Sequence, residues 1–77
     1  MVEVRFFAAA QEATGLDAQW RAEPTVGALR AALVADYPGL GPILPKCAVL
    51  VGGSRVDDDT PLAAGQTVDV LPPFAGG

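Results

Sequence analysis

Pro24-Thr25-Val26-Gly27-Ala28-Leu29-Arg30-Ala31-Ala32-Leu33-Val34-Ala35-Asp36-Tyr37-Pro38 is the stretch on which the fold turns. Val26, Leu29, Leu33 and Tyr37 recur at spacings of three and four, with Ala28 and Ala32 beside them. That spacing predicts one helix of about three turns with a single apolar stripe. Thr25 stands at the N-cap position, where its hydroxyl can accept a bond from an orphaned first-turn amide. Pro38-Gly39 stops the helix, because proline disfavours helical geometry in the residue before it. Gly41, Pro42 and Pro45 keep the following stretch a loop. A lone amphipathic helix has nothing against which to bury its stripe, so the flanking sequence must supply a sheet.

It does so on both sides. Upstream, Val2, Val4 and Phe6 alternate with Glu3, Arg5 and Phe7, the period-two pattern of a half-buried strand. A loop around Gly15 leads to Leu16–Ala22, where Leu16, Ala18, Trp20 and Ala22 alternate with polar residues; a second strand returning as a hairpin is expected. Downstream, Cys47–Val51 is a continuous apolar run suited to a central strand. Gly52-Gly53 fits a two-residue turn requiring positive φ, and Ser54–Val56 returns as a short edge strand. Asp57 to Gly65 reads as a turn-rich connection anchored by Pro61 and Leu62. Gln66–Leu71 is the last strand, with Val68 and Val70 pointing one way and Thr67, Asp69 and Leu71 the other. Pro72-Pro73 ends the pairing, since neither residue can donate. Two strands, one helix, then two or three strands predict an α+β fold of the β-grasp, or ubiquitin-like, kind: a mixed sheet with one main helix packed across one face. Residues 1–77 form a single domain, with 72–77 expected to be a flexible tail.

Composition narrows the function. At 77 residues the domain sits near the lower limit for folding on a hydrophobic core alone. Cys47 is the single cysteine, which rules out an intrachain disulfide, offers no zinc or redox pair, and suits a cytoplasmic location. From the start Met1-Val2-Glu3-Val4-Arg5, neither a signal peptide nor a membrane span is expected. The formal charge is −4, with four arginines and Lys46 as the sole lysine, so no basic surface for nucleic acid is indicated. Histidine is absent, which removes Ser-His and Cys-His nucleophile arrangements and most metal-ligand sets. The chain is poorly equipped to be a self-contained enzyme, and no cofactor or metal is expected on it.

The last six residues are Pro72-Pro73-Phe74-Ala75-Gly76-Gly77. A terminal glycine pair contributes little to folding, because glycine loses the most backbone entropy on ordering. Without Cβ atoms it can thread a narrow tunnel, and the Gly77 carboxylate, with Gly76 before it, is expected to be the working group. Strand alternation also places Phe7 on the face away from the helix, together with Leu71. Adjacent first and last strands would make these one apolar docking patch that leads on to Pro73, Phe74 and Ala75. Other features read as structural. Cys47 opens a buried-looking strand and is expected to be inert. Asp57-Asp58-Asp59 lacks the spacing of a calcium loop and is expected to be a solvated turn. Trp20 and Tyr37 are expected in the core.

The run Arg5-Phe6-Phe7-Ala8 with Glu12-Ala13-Thr14-Gly15, the helix entry Pro24-Thr25-Val26 with Leu29, and the close Pro61-Leu62 with Gly65-Gln66-Thr67-Val68-Asp69-Val70-Leu71-Pro72-Pro73-Phe74-Ala75-Gly76-Gly77 resemble the small subunit of molybdopterin synthase. The likeness covers nearly the whole chain and places it in the ubiquitin-like MoaD/ThiS sulfur-carrier family. One departure is Gly27-Ala28, where the family often carries an acidic residue.

The resemblance implies a cycle in which a ubiquitin-activating-like adenylyltransferase uses ATP and Mg²⁺ to adenylate Gly77. A sulfurtransferase or cysteine desulfurase then supplies the sulfur of a C-terminal thiocarboxylate. The molybdopterin synthase large subunit would receive the tail beside a pterin precursor. The same resemblance admits a sulfur carrier for thiazole or cysteine synthesis, or a ubiquitin-like protein modifier.

Overall fold

The computed structural model describes residues 1–73. Strand β1 (Val2–Phe6) leads into a short helix α1 (Ala8–Thr14), then β2 (Ala18–Arg21) and the main helix α2 (Val26–Asp36). Two single-turn 3₁₀ segments, Pro38–Leu40 and Leu44–Lys46, fill the proline- and glycine-rich stretch before β3 (Ala48–Val51), β4 (Ser54–Arg55) and β5 (Thr67–Leu71). The five strands make one sheet in the order β2-β1-β5-β3-β4. β1 and β5 run parallel; every other neighbouring pair is antiparallel. This is the mixed sheet with a helix across it that defines the β-grasp fold.

The inner face explains the packing. Val4 lies opposite Val68, and Phe6 opposite Val70, while Val49 and Val51 oppose Val70 and Val68 from β3. All of these are buried, as are Val26, Leu29 and Leu33 of α2, and Leu40 and Leu44 of the 3₁₀ turns close the same core. Each such side chain contributes about 1.5–3 kcal/mol on leaving water. Among the described residues no polar or charged residue is buried.

The start of α2 accounts for its orphan amides one by one. The Ala28 amide donates to Thr25 Oγ1 at 3.1 Å, the expected N-cap. The Val26 amide donates to the Thr60 carbonyl at 3.0 Å and the Gly27 amide to the Asp58 carbonyl at 2.8 Å. Gly27 leaves room for this contact: a Cβ there would lie 3.1 Å from Asp58 Cβ and 3.2 Å from its carbonyl oxygen, so the turn would have to give by a few tenths of an ångström. Its place in the helix lets the Asp57–Thr60 turn pack closely against the first turn of α2. Gly52 and Gly53 form the tight β3–β4 turn, with φ of +58° and +84°.

Two expectations are corrected. The loop expected before Gly15 contains α1; Ala9 and Ala10 are strongly helix-favouring, and Gly15 caps the helix with φ +73° and its amide on the Gln11 carbonyl. The hairpin partner is present, but a helix intervenes between its strands. Trp20 is not in the core: it pairs with Glu3 on the outer face and is 59% exposed. The inner positions of β2 belong to Gln19 and Arg21, opposite Val4 and Val2. They satisfy themselves with polar partners: Gln19 donates to the Tyr37 hydroxyl, and Arg21 pairs with Glu23 and Asp36. Tyr37 itself is half-buried against the core.

Candidate functional site

Parallel pairing brings the ends of β1 and β5 to the same end of the sheet. One step beyond the Phe6–Val70 pair, the Phe7 amide donates to the Val70 carbonyl at 3.3 Å, so Phe7 lies beside Leu71. Phe7 is 39% exposed; Leu71 is half-buried and faces Ala48 across β3. Pro72 is buried and Pro73 exposed. Phe74, Ala75, Gly76 and Gly77, named above as docking or working residues, lie outside the described residues.

Next to Phe7 the outer face carries an ion pair. Arg5 Nε donates to Asp69 Oδ1 at 2.6 Å and Arg5 Nη2 to Asp69 Oδ2 at 3.0 Å, a bidentate clamp across the parallel pair. The hydrogen bond to Asp69 raises the Arg5 pKa, so its charge is fixed at any working pH. The same guanidinium lies 5.9 Å from the centroid of the Phe7 ring, within cation–π range. The clamp thus holds the side chain over which Phe7 rests. Leu50 and Arg55 continue this row toward the β4 edge, and Trp20 lies beyond β1 on the other side. The face is apolar at intervals and charged between, and its Asp69 carboxylate is engaged by Arg5. Chemically it can hold a partner.

The other residues singled out from the sequence lie elsewhere. Cys47 is half-buried; its thiol donates to the Ile43 carbonyl at 3.4 Å, and burial raises its pKa, which keeps it protonated and unreactive at neutral pH. It lines a cleft of about 290 Å³ with Arg30 and Arg55. Asp58 directs its carbonyl to Gly27 and its carboxylate to Arg30, 3.4 Å away. Among the described residues no group of three His, Cys, Asp or Glu side chains could hold a metal. Sequence reasoning missed the exposed Trp20 and the Arg21–Glu23–Asp36 cluster. The cluster was legible only through the β2 register, which sequence alternation alone assigns to either face.

Comparison with known proteins agrees with this architecture. The profile of the ThiS family matches residues 4–77. Small archaeal modifier protein 3 of Haloferax volcanii is 37% identical over 90 residues, spanning 99% of this chain and 98% of that protein. The solution structure of the Haloferax volcanii HVO 2177 protein superposes with a TM-score of 0.81 at 36% identity, covering 99% of this chain and 85% of that one. A chain from the complex of subunits 1 and 2 of the molybdopterin-converting factor of Helicobacter pylori superposes with a TM-score of 0.76 at 31% identity, covering 99% and 97%. With the β-grasp sheet, the helix across it and a profile match over nearly its whole length, the chain belongs to the ThiS family, the ubiquitin-like group of MoaD-type sulfur carriers and protein modifiers.

Proposed function

We propose that this protein is a cytoplasmic sulfur carrier, acting as the small subunit of a molybdopterin synthase, with the Gly77 carboxylate as the group that is charged and discharged. A free carboxylate resists attack by sulfur because oxide is a poor leaving group. An adenylyltransferase overcomes this: a Gly77 carboxylate oxygen attacks the α-phosphorus of Mg²⁺-bound ATP, pyrophosphate leaves, and the acyl-adenylate forms. A persulfide from a sulfurtransferase or cysteine desulfurase then attacks the acyl carbon and expels AMP. A thiol cleaves the S–S bond, leaving the thiocarboxylate on Gly77. In the large subunit that sulfur attacks the pterin precursor, and hydrolysis returns the carboxylate. ATP, Mg²⁺ and all acid–base groups belong to partners; this chain binds no cofactor.

The observation that carries the reading is the placement of Phe7 and Leu71 together at the root of a Gly-Gly tail. Phe7, Leu71, Pro73, Phe74 and Ala75 then dock the partner, and Gly76 lets the acyl end enter its site. The 31% identity to a chain of the Helicobacter pylori converting-factor complex supports the molybdopterin reading. The 37% identity to a small archaeal modifier protein supports a second one, in which Gly77 is joined to lysines of target proteins.

Intact-mass measurement and deletion of Gly77 test these together. An oxygen-for-sulfur exchange on native protein, loss of dithiolene formation with large subunit and precursor when Gly77 is deleted, and unchanged thermal stability are expected. A native polypeptide extending past residue 77 without trimming would overturn the proposal. A ladder of isopeptide conjugates that disappears on the same deletion would favour the modifier instead.

A further inference from the structure

Phe7 is fixed from both sides of its backbone. Its amide donates to β5 at Val70, and its carbonyl accepts from the Ala10 amide at 3.0 Å and the Gln11 amide at 3.4 Å. The residue is extended, with φ −122° and ψ 150°, yet it also caps α1 without any side-chain hydrogen bond. A strand residue whose carbonyl opens a helix needs an abrupt change of direction at the next position.

Ala8 absorbs it. Its φ is +49°, and among the described residues it is the one non-glycine with positive φ. A Cβ in that region crowds the following carbonyl, whereas glycine would adopt it freely. Strain of this kind persists only where the surroundings over-determine it, and it concentrates at functional positions. Here the surroundings are the two sets of hydrogen bonds on Phe7. Their result is that the ring stands on the outer face, above Arg5 and beside Leu71, where β1 stops.

We propose that Ala8 is a positioning residue for partner docking: its positive φ turns the chain out of the sheet so that Phe7 is held presented at the root of the tail. This rests on the docking role of Phe7 given above. The side chain of Ala8 need touch no partner; it acts through Phe7.

The test uses the full chain with the adenylating enzyme of the same organism, read by ATP–pyrophosphate exchange and by amide hydrogen exchange. Ala8→Val, β-branched and ill-suited to positive φ, is expected to raise KM for this protein about tenfold, the equivalent of about 1.4 kcal/mol, with kcat unchanged. Ala8→Asn, whose side chain tolerates positive φ, is expected to recover the original KM. In a Phe7→Ala background Ala8→Val should add no further loss. The amides of Phe7 and Ala10 should lose protection in Ala8→Val while those of Val4 and Val70 keep theirs. Equal KM penalties from Ala8→Val in both backgrounds, or general loss of protection, would show a role in folding alone and overturn the assignment. An unaltered KM for Phe7→Ala itself would overturn the docking reading, and the assignment with it.

Discussion

Two faces of the same two strands have opposite fates. On the inner side of β1 and β5, Val2, Val4, Phe6, Val68 and Val70 are all at or below 2% exposure. On the outer side, Glu3, Arg5, Phe7, Thr67, Asp69 and Leu71 carry the charges and the accessible apolar groups. Phe6 and Phe7 are chemically identical neighbours, and the strand's period of two sends one into the core and the other to the surface. The inner face holds the molecule together. The outer face is built from residues whose removal should hardly matter to the fold, which leaves it free to serve recognition.

Substituting the two phenylalanines is the sharpest way to break this division. Phe6→Ala should cost about 3–5 kcal/mol in urea denaturation, through lost burial and the cavity left behind. Phe7→Ala should cost less than about 1 kcal/mol while weakening capture by the activating enzyme. Similar stability losses for both would erase the contrast between the faces. A smaller effect is expected at the rim of the inner face. Gly27→Ala, which in an exposed helix would gain up to about 1 kcal/mol, should instead destabilise by about 1–2 kcal/mol as its methyl group meets Asp58. A rise in thermal midpoint would show that the Asp57–Thr60 turn yields.

The smallest effect lies at the β2 edge. The hydrogen bond from Arg21 lowers the Glu23 pKa, so the folded state holds the ionised form more tightly than the unfolded chain does. This stabilisation is complete above the ordinary glutamate value of about 4.3 and is lost as pH falls through the lowered folded value. Glu23→Gln should therefore cost about 1 kcal/mol at neutral pH, and its difference from the unsubstituted protein should shrink as pH falls below the ordinary glutamate value. Urea midpoints across that range measure it, and a constant difference would contradict the role given to the ion pair.

Much of this architecture was legible in the residues. Val26, Leu29 and Leu33 define the buried stripe, Thr25 caps it, and Gly52-Gly53 turns the hairpin, because each signal is local and has a physical cause. What escaped was decided by context. The tract Ala8–Thr14 favours a helix, but its seven residues are too few to stand out beside a neighbouring strand. Trp20 looked like core because aromatic residues usually are. Its face is set by the register Glu3↔Trp20, which depends on where an edge strand meets its neighbour. For the site, adjacency of Phe7 and Leu71 followed from alternation plus fold, whereas the hinge at Ala8 has no sequence signature, since alanine is the residue least expected to mark it.

The parallel pairing of β1 with β5 joins residues from opposite ends of the chain, such as Glu3 with Thr67. Contacts so distant in sequence slow folding, because a long loop must close before they form. The middle of the sheet therefore stays open during synthesis until β5, the last strand described, has emerged. A prematurely terminated product lacking β5 would leave β2-β1 and β3-β4 as two separate ribbons. The sheet is thus complete only once β5 has been made, and a chain stopped before it would be a target for proteolysis before it could compete for the same partners.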